Sequence, residues 1–202
     1  MQDIEEIWEK LENNSFKVST DTRKDVSGSI FFALKGENFD GSTFAKEALA
    51  KGAIGVVTEN ALEMLQKLAR RYRDTFNIPI ITIGGSNGKT TTKELIRSVL
   101  SVKYRVYTTE GNLNNHIGVP LSIFGMDKDS EIGVFEIGAN HLGEYTSLLE
   151  ILNPTHVLVT NSGLDHLEGF GSPEGVETAN QEIIDWAQTH GAKAIDKVDR
   201  EL

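Results

Sequence analysis

The chain has 202 residues, of which 39% are hydrophobic and 25% are charged, as is ordinary for a globular protein of one or two domains. Its formal net charge of -10 argues against a protein that wraps a nucleic-acid backbone, since such binding needs concentrated Lys and Arg. The sequence has no cysteine, which excludes disulfides, thiolate metal sites and cysteine nucleophiles.

The first residues, MQDIEEIWEKLENN, are acidic and amphipathic, unlike a signal peptide. No apolar run approaches the roughly 20 residues that a membrane-spanning helix needs. We therefore expect no membrane insertion and a cytoplasmic location.

The N-terminal part predicts a small mixed α/β domain over residues 1–76. Apolar residues at helical spacing indicate a helix at the start and another in NALEMLQKLARRYR. Between them, short apolar runs bounded by Gly, Asp and Ser indicate strands in SFKVSTDTR, SIFFALKG and AIGVVT. The polar DTFN that follows the second helix marks the boundary to a second domain, 77–202.

The second part repeats a pattern of buried strand, loop and helix. Uniformly apolar strands separated by helices predict a P-loop-type, mostly parallel sheet with helices on both faces. The predicted strands are IPIITI, RVYTT, EIGVFEIG, THVLVTN and AKAI. Because the chain ends soon after the last of these, in IDKVDREL, we expect a fragment whose second domain is truncated at its C-terminal end.

The stretch TIGGSNGKTTTKE has the pattern of a phosphate-binding loop between a strand and a helix. Gly85 and Gly88 allow backbone N–H groups to converge on an anion, Lys89 can reach the terminal phosphates, and Thr90 offers a hydroxyl to Mg²⁺. The alternative is a glycine-rich turn with a surface lysine. We favour nucleotide binding, although Ile83 stands where the strict pattern has glycine. The predicted cofactor-binding residues are Gly85, Ser86, Asn87, Gly88, Lys89, Thr90 and Thr91.

Two further residues are candidate metal ligands at strand ends. Glu136 ends an apolar run, where an unpaired carboxylate is costly, so that either a metal or a helix N-terminus is expected beside it. His166 follows the strand HVLVT; a lone histidine there is more often a packed residue than a ligand. Proximity to Glu136 and Thr90 on one edge of the sheet favours the ligand interpretation.

For other polar segments, the residues alone allow more than one interpretation. Asn112, Asn114 and Asn115 precede a helix near Pro120, so their amides either cap that helix or bind a polar substrate. In the N-terminal part, Asp21 and Arg23 precede a turn, and the loop KGENFDG follows an apolar strand. These two segments indicate a surface for a small molecule or a partner.

Together these motifs resemble the Mur ligases, the ATP-dependent amide-forming enzymes of bacterial peptidoglycan synthesis. The resemblance covers almost the whole chain and rests on five motifs in order. They are DTRKDVSGSIFFALKGENFDG, GGSNGKTTTKE, GNLNNHIGVPL, EIGANHLGE and NSGLDHLEGFGS. The last three are specific to the members that add D-Ala-D-Ala.

The resemblance implies a role for each matching residue. Lys89, Glu136 and His166 would be catalytic, with Thr90, Glu136 and His166 as ligands of Mg²⁺. The first motif would form a UDP-sugar-binding domain. The implied substrate-binding residues are Asp21, Thr22, Arg23, Asn38, Phe39, Asp40, Asn114 and Asn115.

The implied reaction is ATP-dependent addition of D-Ala-D-Ala to UDP-MurNAc-tripeptide through an acyl phosphate, with ATP and Mg²⁺ as cofactors and no nucleic acid as partner. Since the family's C-terminal domain has no counterpart here, we expect this chain alone to be inactive. The alternatives are a non-catalytic fragment or paralogue that binds nucleotide, UDP-sugar or a protein partner, and, from an unrelated class, a P-loop kinase or GTPase.

Two departures from the family pattern bear on these expectations. Gly84 replaces a usual threonine, which predicts a more flexible turn. Asn180 stands where the family usually has a lysine, carbamylated in several members to bind a second Mg²⁺, and an asparagine cannot form a carbamate.

Overall fold

A computed structural model describes residues 3–161, 163, 170 and 172–195 of the chain. The chain divides into two compact units, with the division between Tyr72 and Arg73. No helix in these described residues is both long enough and apolar enough to cross a membrane.

The N-terminal unit is built on a parallel sheet in the order β1-β2-β5, with an antiparallel hairpin of β3 and β4. All three residues of β2 are buried, which places the core of the unit on this strand. Its helices are α1 (Ile4–Asn13), α2 (Ala45–Ala50) and α3 (Ala61–Asp74), and a 3-10 helix spans Gly41–Phe44. Its strands are β1 (Val18–Ser19), β2 (Ile30–Phe32), β3 (Lys35–Gly36), β4 (Phe39–Asp40) and β5 (Gly55–Val57).

The second unit contains a parallel sheet in the order β10-β9-β6-β8-β7. Its strands are β6 (Ile80–Gly84), β7 (Val106–Thr108), β8 (Ile132–Glu136), β9 (His156–Val159) and β10 (Lys193–Ile195). Its helices, besides the end of α3, are α4 (Lys89–Leu100), α5 (Gly118–Phe124), α6 (Glu144–Leu152) and α7 (Pro173–His190). The predicted α/β class with a mostly parallel, helix-flanked sheet is confirmed.

The strand order explains where a ligand can bind. β6 lies between β8 and β9, whereas the next strand in sequence, β7, lies beyond β8. The connection from β6 therefore leaves to one side of the sheet, and the connection from β8 crosses to the other. Such a reversal opens a crevice at the carboxyl ends of the central strands, which is where open α/β sheets bind ligands.

Arg73 explains why the second unit begins a few residues before the predicted boundary at residue 76. Its guanidinium is buried and donates hydrogen bonds to the carbonyl oxygens of Leu152 at 2.8 Å, Asn153 at 2.9 Å and Phe76 at 2.9 Å. Leu152 and Asn153 end helix α6, where a cation also complements the helix dipole. Arg73 is thus anchored within the second unit.

Replacing Arg73 with Met should lower the free energy of unfolding by about 2 kcal/mol, because buried carbonyl oxygens lose charge-assisted donors. Urea denaturation followed by circular dichroism measures this. Arg97→Met is a matched control, since Arg97 is an exposed arginine on α4 that pairs with a neighbouring glutamate at 3.3 Å. Equal stability of the two variants would contradict the anchoring role.

Candidate active site

The predicted phosphate loop lies at the carboxyl end of β6 and leads directly into α4, which begins at Lys89. Gly85 and Gly88 have φ angles of 110° and 80°, a left-handed conformation that favours glycine. A Cβ at Gly85 would also lie 2.9 Å from the backbone nitrogen of Thr160. The glycines are therefore required by the turn and by its close approach to the end of β9.

Asn161 holds this loop in place from the end of β9. Its backbone carbonyl accepts a hydrogen bond from the N–H of Ser86 at 2.9 Å. Its side-chain oxygen accepts from the N–H of Asn87 at 3.1 Å, and its amide donates to the Asn87 carbonyl at 2.9 Å. Sequence reasoning assigned no role to Asn161, although a polar residue directly after a buried strand was the available signal.

Lys89 and Thr90 both point toward the crevice. The Lys89 ammonium donates to the carbonyl oxygens of Gly85 at 2.6 Å and Ser86 at 2.8 Å, which keeps the cation at the mouth of the loop. The Thr90 hydroxyl donates to an oxygen of Glu136 at 2.8 Å. Thr91, by contrast, is exposed on α4.

Glu136 is the last residue of β8 and is only 4% exposed. While Oε2 accepts from Thr90, Oε1 accepts from the side-chain amide of Asn114 at 2.9 Å. Both partners are neutral side chains, Thr90 from the first turn of α4 and Asn114 from the loop after β7. A buried carboxylate with neutral partners keeps a large desolvation cost, which a bound cation would offset.

The Thr90–Glu136 pair fits Mg²⁺, a cation that prefers oxygen ligands and is commonly held by one or two carboxylates together with substrate phosphates. The third predicted ligand, His166, lies outside the described residues. Within the described residues, no group of three or more His, Asp or Glu side chains could hold a metal on its own. A metal here would therefore take much of its coordination from water and phosphate oxygens.

The structure separates the roles of the loop asparagines. Asn115 accepts hydrogen bonds through Oδ1 from the N–H groups of Ile117 at 3.1 Å and Gly118 at 2.9 Å, so it shapes the start of α5. Asn114 instead reaches Glu136. With Asn112 they line a cavity of about 210 Å³ that also includes Lys89.

A buried lysine connects this asparagine loop to α4. Lys93 is 2% exposed, and its ammonium donates to the carbonyl oxygen of Thr109 at 2.7 Å. The Thr109 hydroxyl in turn accepts from the backbone N–H of Glu136 at 3.3 Å. Lys93 thus fixes the segment after β7 from which the asparagine loop departs, a role that sequence reasoning missed because a helical lysine is usually exposed.

The loop between β8 and α6 is held by two glutamates. Glu182 of α7 accepts from the N–H of Gly143 at 2.6 Å, and Glu144 accepts from the N–H of Asn140 at 2.7 Å. Burial alone raises the pKa of Glu144, but the hydrogen bonds from Asn140 and His141 outweigh burial and lower it. The carboxylate therefore stays charged, and the loop presents Ala139 to the cavity in a fixed conformation.

The interpretation of Gly84 as a flexible turn residue was wrong. Gly84 is the last residue of β6, is buried, and pairs in register with Val159 of β9. A Cβ at this position would overlap the δ-methyl group of Ile183 on α7. A side chain at this position would require the Ile183 side chain to move, because the helix packs directly on the strand.

Asn180 lies on α7 and lines the same cavity as the phosphate loop, with only 4% of its surface exposed. Its amide donates to the Asn161 carbonyl at 3.4 Å. An amide has no negative charge to offer a second cation. The residues present at this position therefore do not fit a carbamate-bound metal.

A second cavity, of about 430 Å³, lies within the N-terminal unit. One side is the turn of Asp21 to Arg23, where Arg23 donates to both carboxylate oxygens of Asp21, at 2.9 and 2.8 Å. These hydrogen bonds lower the pKa of Asp21 to about 2. The other side carries the stacked rings of Phe39 and Phe44, whose centroids are 5.7 Å apart.

The structure brings only part of the predicted N-terminal set together. Asp21, Thr22, Arg23 and Phe39 line the cavity, whereas Asn38 and Asp40 are not among its lining residues. The Asp40 carboxylate accepts from the Ser42 N–H at 2.9 Å and pairs with Lys35 at 3.3 Å, so it shapes the hairpin and the following turn.

Comparison with known proteins matches both parts of the chain to Mur ligase family models. The Mur ligase middle domain matches residues 83–201, and a second family model, described as the Mur ligase family catalytic domain, matches residues 17–71. The UDP-N-acetylmuramoyl-tripeptide--D-alanyl-D-alanine ligase of Bacillus subtilis is 39% identical over 86% of this chain and 42% of its own length. The Escherichia coli enzyme of the same name is 37% identical over 86% of this chain and 41% of its own length.

Solved structures of MurF are also similar to this chain. A crystal structure of MurF from Acinetobacter baumannii superposes with a TM-score of 0.79 and 34% identity, covering 84% of this chain and 40% of that one. MurF from Thermotoga maritima in complex with ADP gives a TM-score of 0.79 and 33% identity over 92% of this chain and 44% of that one. The chain thus spans about two fifths of the length of the curated relatives above. With a family model covering more than half of its residues, the chain belongs to the Mur ligase family.

Proposed function

We propose that the chain contributes the UDP-sugar-binding and ATP-binding parts of an ATP-dependent ligase that adds D-Ala-D-Ala to UDP-MurNAc-tripeptide. The observation that carries this proposal is that Lys89 and Asn114 line one cavity. Asn114 and Thr90 both donate hydrogen bonds to the carboxylate of Glu136 at the end of β8. The names of the relatives support the substrate assignment. A kinase or GTPase would leave the cavity of the N-terminal unit without a purpose.

ATP would bind with its phosphates on the loop of residues 85–91. The backbone N–H groups at the start of α4 and the Lys89 ammonium supply positive charge for the phosphate oxygens. The relative from Thermotoga maritima, whose structure holds ADP, supports nucleotide binding by this chain. Transfer of a phosphoryl group requires positioning and charge neutralisation more than covalent help from the protein.

The acceptor in the proposed reaction is the terminal carboxylate of the tripeptide. A carboxylate oxygen attacks the γ-phosphorus, the bond to the β-phosphate oxygen breaks, and ADP leaves with the bonding electron pair. The amine of D-Ala-D-Ala then attacks the acyl phosphate, loses a proton and displaces phosphate, which leaves an amide. Lys89 would stabilise the negative charge that develops on the transferred oxygens.

Mg²⁺ would be held by Thr90 and Glu136, with His166 as a further proposed ligand, and would neutralise charge on the phosphates. Asn114 positions the Glu136 carboxylate through the 2.9 Å hydrogen bond to Oε1. Because the amide of Asn180 cannot form a carbamate, this protein would not rely on a second metal held at that position.

The cavity of the N-terminal unit is the proposed site of the UDP-sugar. The exposed ring of Phe39, stacked on Phe44, offers a face to a planar base, and the turn of Asp21 to Arg23 offers polar groups to a sugar or diphosphate. Ligation itself is proposed for a protein of the relatives' full length, and substrate binding is proposed for the present chain. A cytoplasmic location stays a prediction from the sequence.

Isothermal titration calorimetry with UDP-MurNAc-tripeptide tests the proposal directly. Phe39→Ala should weaken binding about 10-fold, since stacking of one base on an aromatic ring contributes roughly 1–3 kcal/mol. Leu49→Ala is the matched control, because Leu49 and Phe39 are both 52% exposed but Leu49 does not line the cavity. Absence of binding to the unmodified chain, or an equal loss in both variants, would count against the assignment.

A further inference from the structure

Tyr145 lies beside the phosphate loop, in the first turn of α6. It is 4% exposed, and it lines the same cavity as Gly85, Lys89 and Asn114. It is therefore buried by the protein but open to whatever occupies that cavity.

The ring of Tyr145 fills space that the strand leaves empty. A Cβ built on Gly84 would lie 3.5 Å from Cε1 of Tyr145, in addition to its overlap with Ile183. With glycine at residue 84, the space beside the end of β6 is taken by the Tyr145 ring and the Ile183 side chain. At this place the chain provides a hydroxyl from α6 instead.

The surroundings determine how that hydroxyl can bond. Burial raises the pKa of Tyr145, whereas the backbone N–H groups of Gly85 and Ala139 interact with its oxygen and act in the opposite direction. The phenol therefore stays protonated near neutral pH. A protonated phenol can donate one hydrogen bond, and because Tyr145 lines the cavity, an acceptor bound there can receive it.

We propose that Tyr145 is an additional phosphate-binding residue whose hydroxyl donates a hydrogen bond to the terminal phosphoryl group of the bound nucleotide. The position of Tyr145 favours a contact with the terminal phosphoryl group rather than with the inner phosphates. Besides the loop residues Gly85 and Lys89, the cavity that Tyr145 lines includes Asn114, which binds the carboxylate of Glu136, the proposed Mg²⁺ ligand. This inference rests on the proposed ATP binding, and it deepens that proposal by adding a contact specific for the γ-phosphate.

Calorimetric titration of the 202-residue chain with ATP and with ADP, each with Mg²⁺, tests the contact. In Tyr145→Phe the ring is retained, so the packing on Gly84 is preserved and only the hydroxyl is lost. We expect ATP affinity to fall about 10-fold, as for one lost hydrogen bond to a charged group, and ADP affinity to change less than about twofold.

Tyr107→Phe is the matched control. Tyr107 is a partly buried tyrosine of β7 whose hydroxyl donates to the Ser122 carbonyl, and it does not line the cavity. This variant should leave both nucleotide affinities unchanged. Thermal unfolding of all three proteins verifies that each is folded at the titration temperature.

The outcomes separate this inference from the proposed function. If the unmodified chain binds ATP and Tyr145→Phe binds it equally well, the inference is overturned while ATP binding stands. Equal losses for ATP and ADP would also overturn it, because they would show that Tyr145 only orders the loop. If the unmodified chain binds neither nucleotide, the proposed function fails and the inference fails with it.

Discussion

Lys89→Ala should weaken ATP binding about 100-fold, the largest loss expected for any single side chain of the phosphate loop. The ammonium already lies at the mouth of the loop, 2.6 Å from the Gly85 carbonyl oxygen and 2.8 Å from that of Ser86. Little reorganisation is needed for it to reach a phosphate. Alanine removes the one side-chain cation that lines this cavity among the described residues. Calorimetry with ATP and Mg²⁺ measures the loss.

The matched control for this variant is Lys46→Ala, which removes the same charge from an exposed position on α2 of the other unit. If net charge alone governed affinity, the two variants would lose equally. Unchanged ATP affinity in Lys89→Ala would exclude the loop as a phosphate site. The alternative weighed from the sequence, a glycine-rich turn with a surface lysine, would then be correct.

The sequence predicted the sheet and the edge where the site lies because both follow from local patterns. Apart from Thr82 in β6 and Glu136 at the end of β8, the two strands have no polar side chain, which indicates strands covered on both faces. The polar segments begin where those strands end. The carboxyl ends of parallel strands lie along the same edge of a sheet. Thr90, Glu136 and His166 were therefore predicted to lie at one edge of the sheet, and the structure joins Thr90 and Glu136 by a hydrogen bond of 2.8 Å.

Residues whose roles depend on packing between distant elements were not predictable in this way. Tyr145 occurs at helical spacing with Leu148, Leu149 and Leu152, a pattern that indicates an ordinary core residue. Its hydroxyl reaches the cavity only because α6 lies against the glycine at the end of β6.

Gly84 shows the same limit. The motif alone suggested a flexible turn, whereas Gly84 ends a buried strand and packs against Ile183, which lies 99 residues later in the sequence. Spacing within a motif carries no information about such a distant contact.

The substitution Glu136→Gln should raise the stability of the ligand-free protein and weaken the effect of Mg²⁺ on ATP binding. The buried carboxylate accepts hydrogen bonds from Thr90 and Asn114, both neutral, so its charge is poorly compensated without a cation. Glutamine keeps the shape and removes the charge. We expect the ligand-free protein to gain about 1 kcal/mol in free energy of unfolding, as is common when a strained functional group is neutralised.

The same substitution should remove most of the Mg²⁺ dependence of ATP binding. In the unmodified chain, Mg²⁺ should strengthen ATP binding about 100-fold, and in Glu136→Gln by no more than about fivefold, because a neutral amide oxygen is a far weaker ligand for a hard cation. Titrations with ATP in the presence of Mg²⁺ and in the presence of EDTA measure both factors.

Glu150→Gln serves as the control, since Glu150 is exposed on α6 and accepts a hydrogen bond from Trp186 at 2.8 Å, away from the cavity. A Mg²⁺ effect that persists unchanged in Glu136→Gln would place the metal elsewhere, and the burial of this carboxylate would then have to be explained by the hydrogen bonds to Thr90 and Asn114 alone.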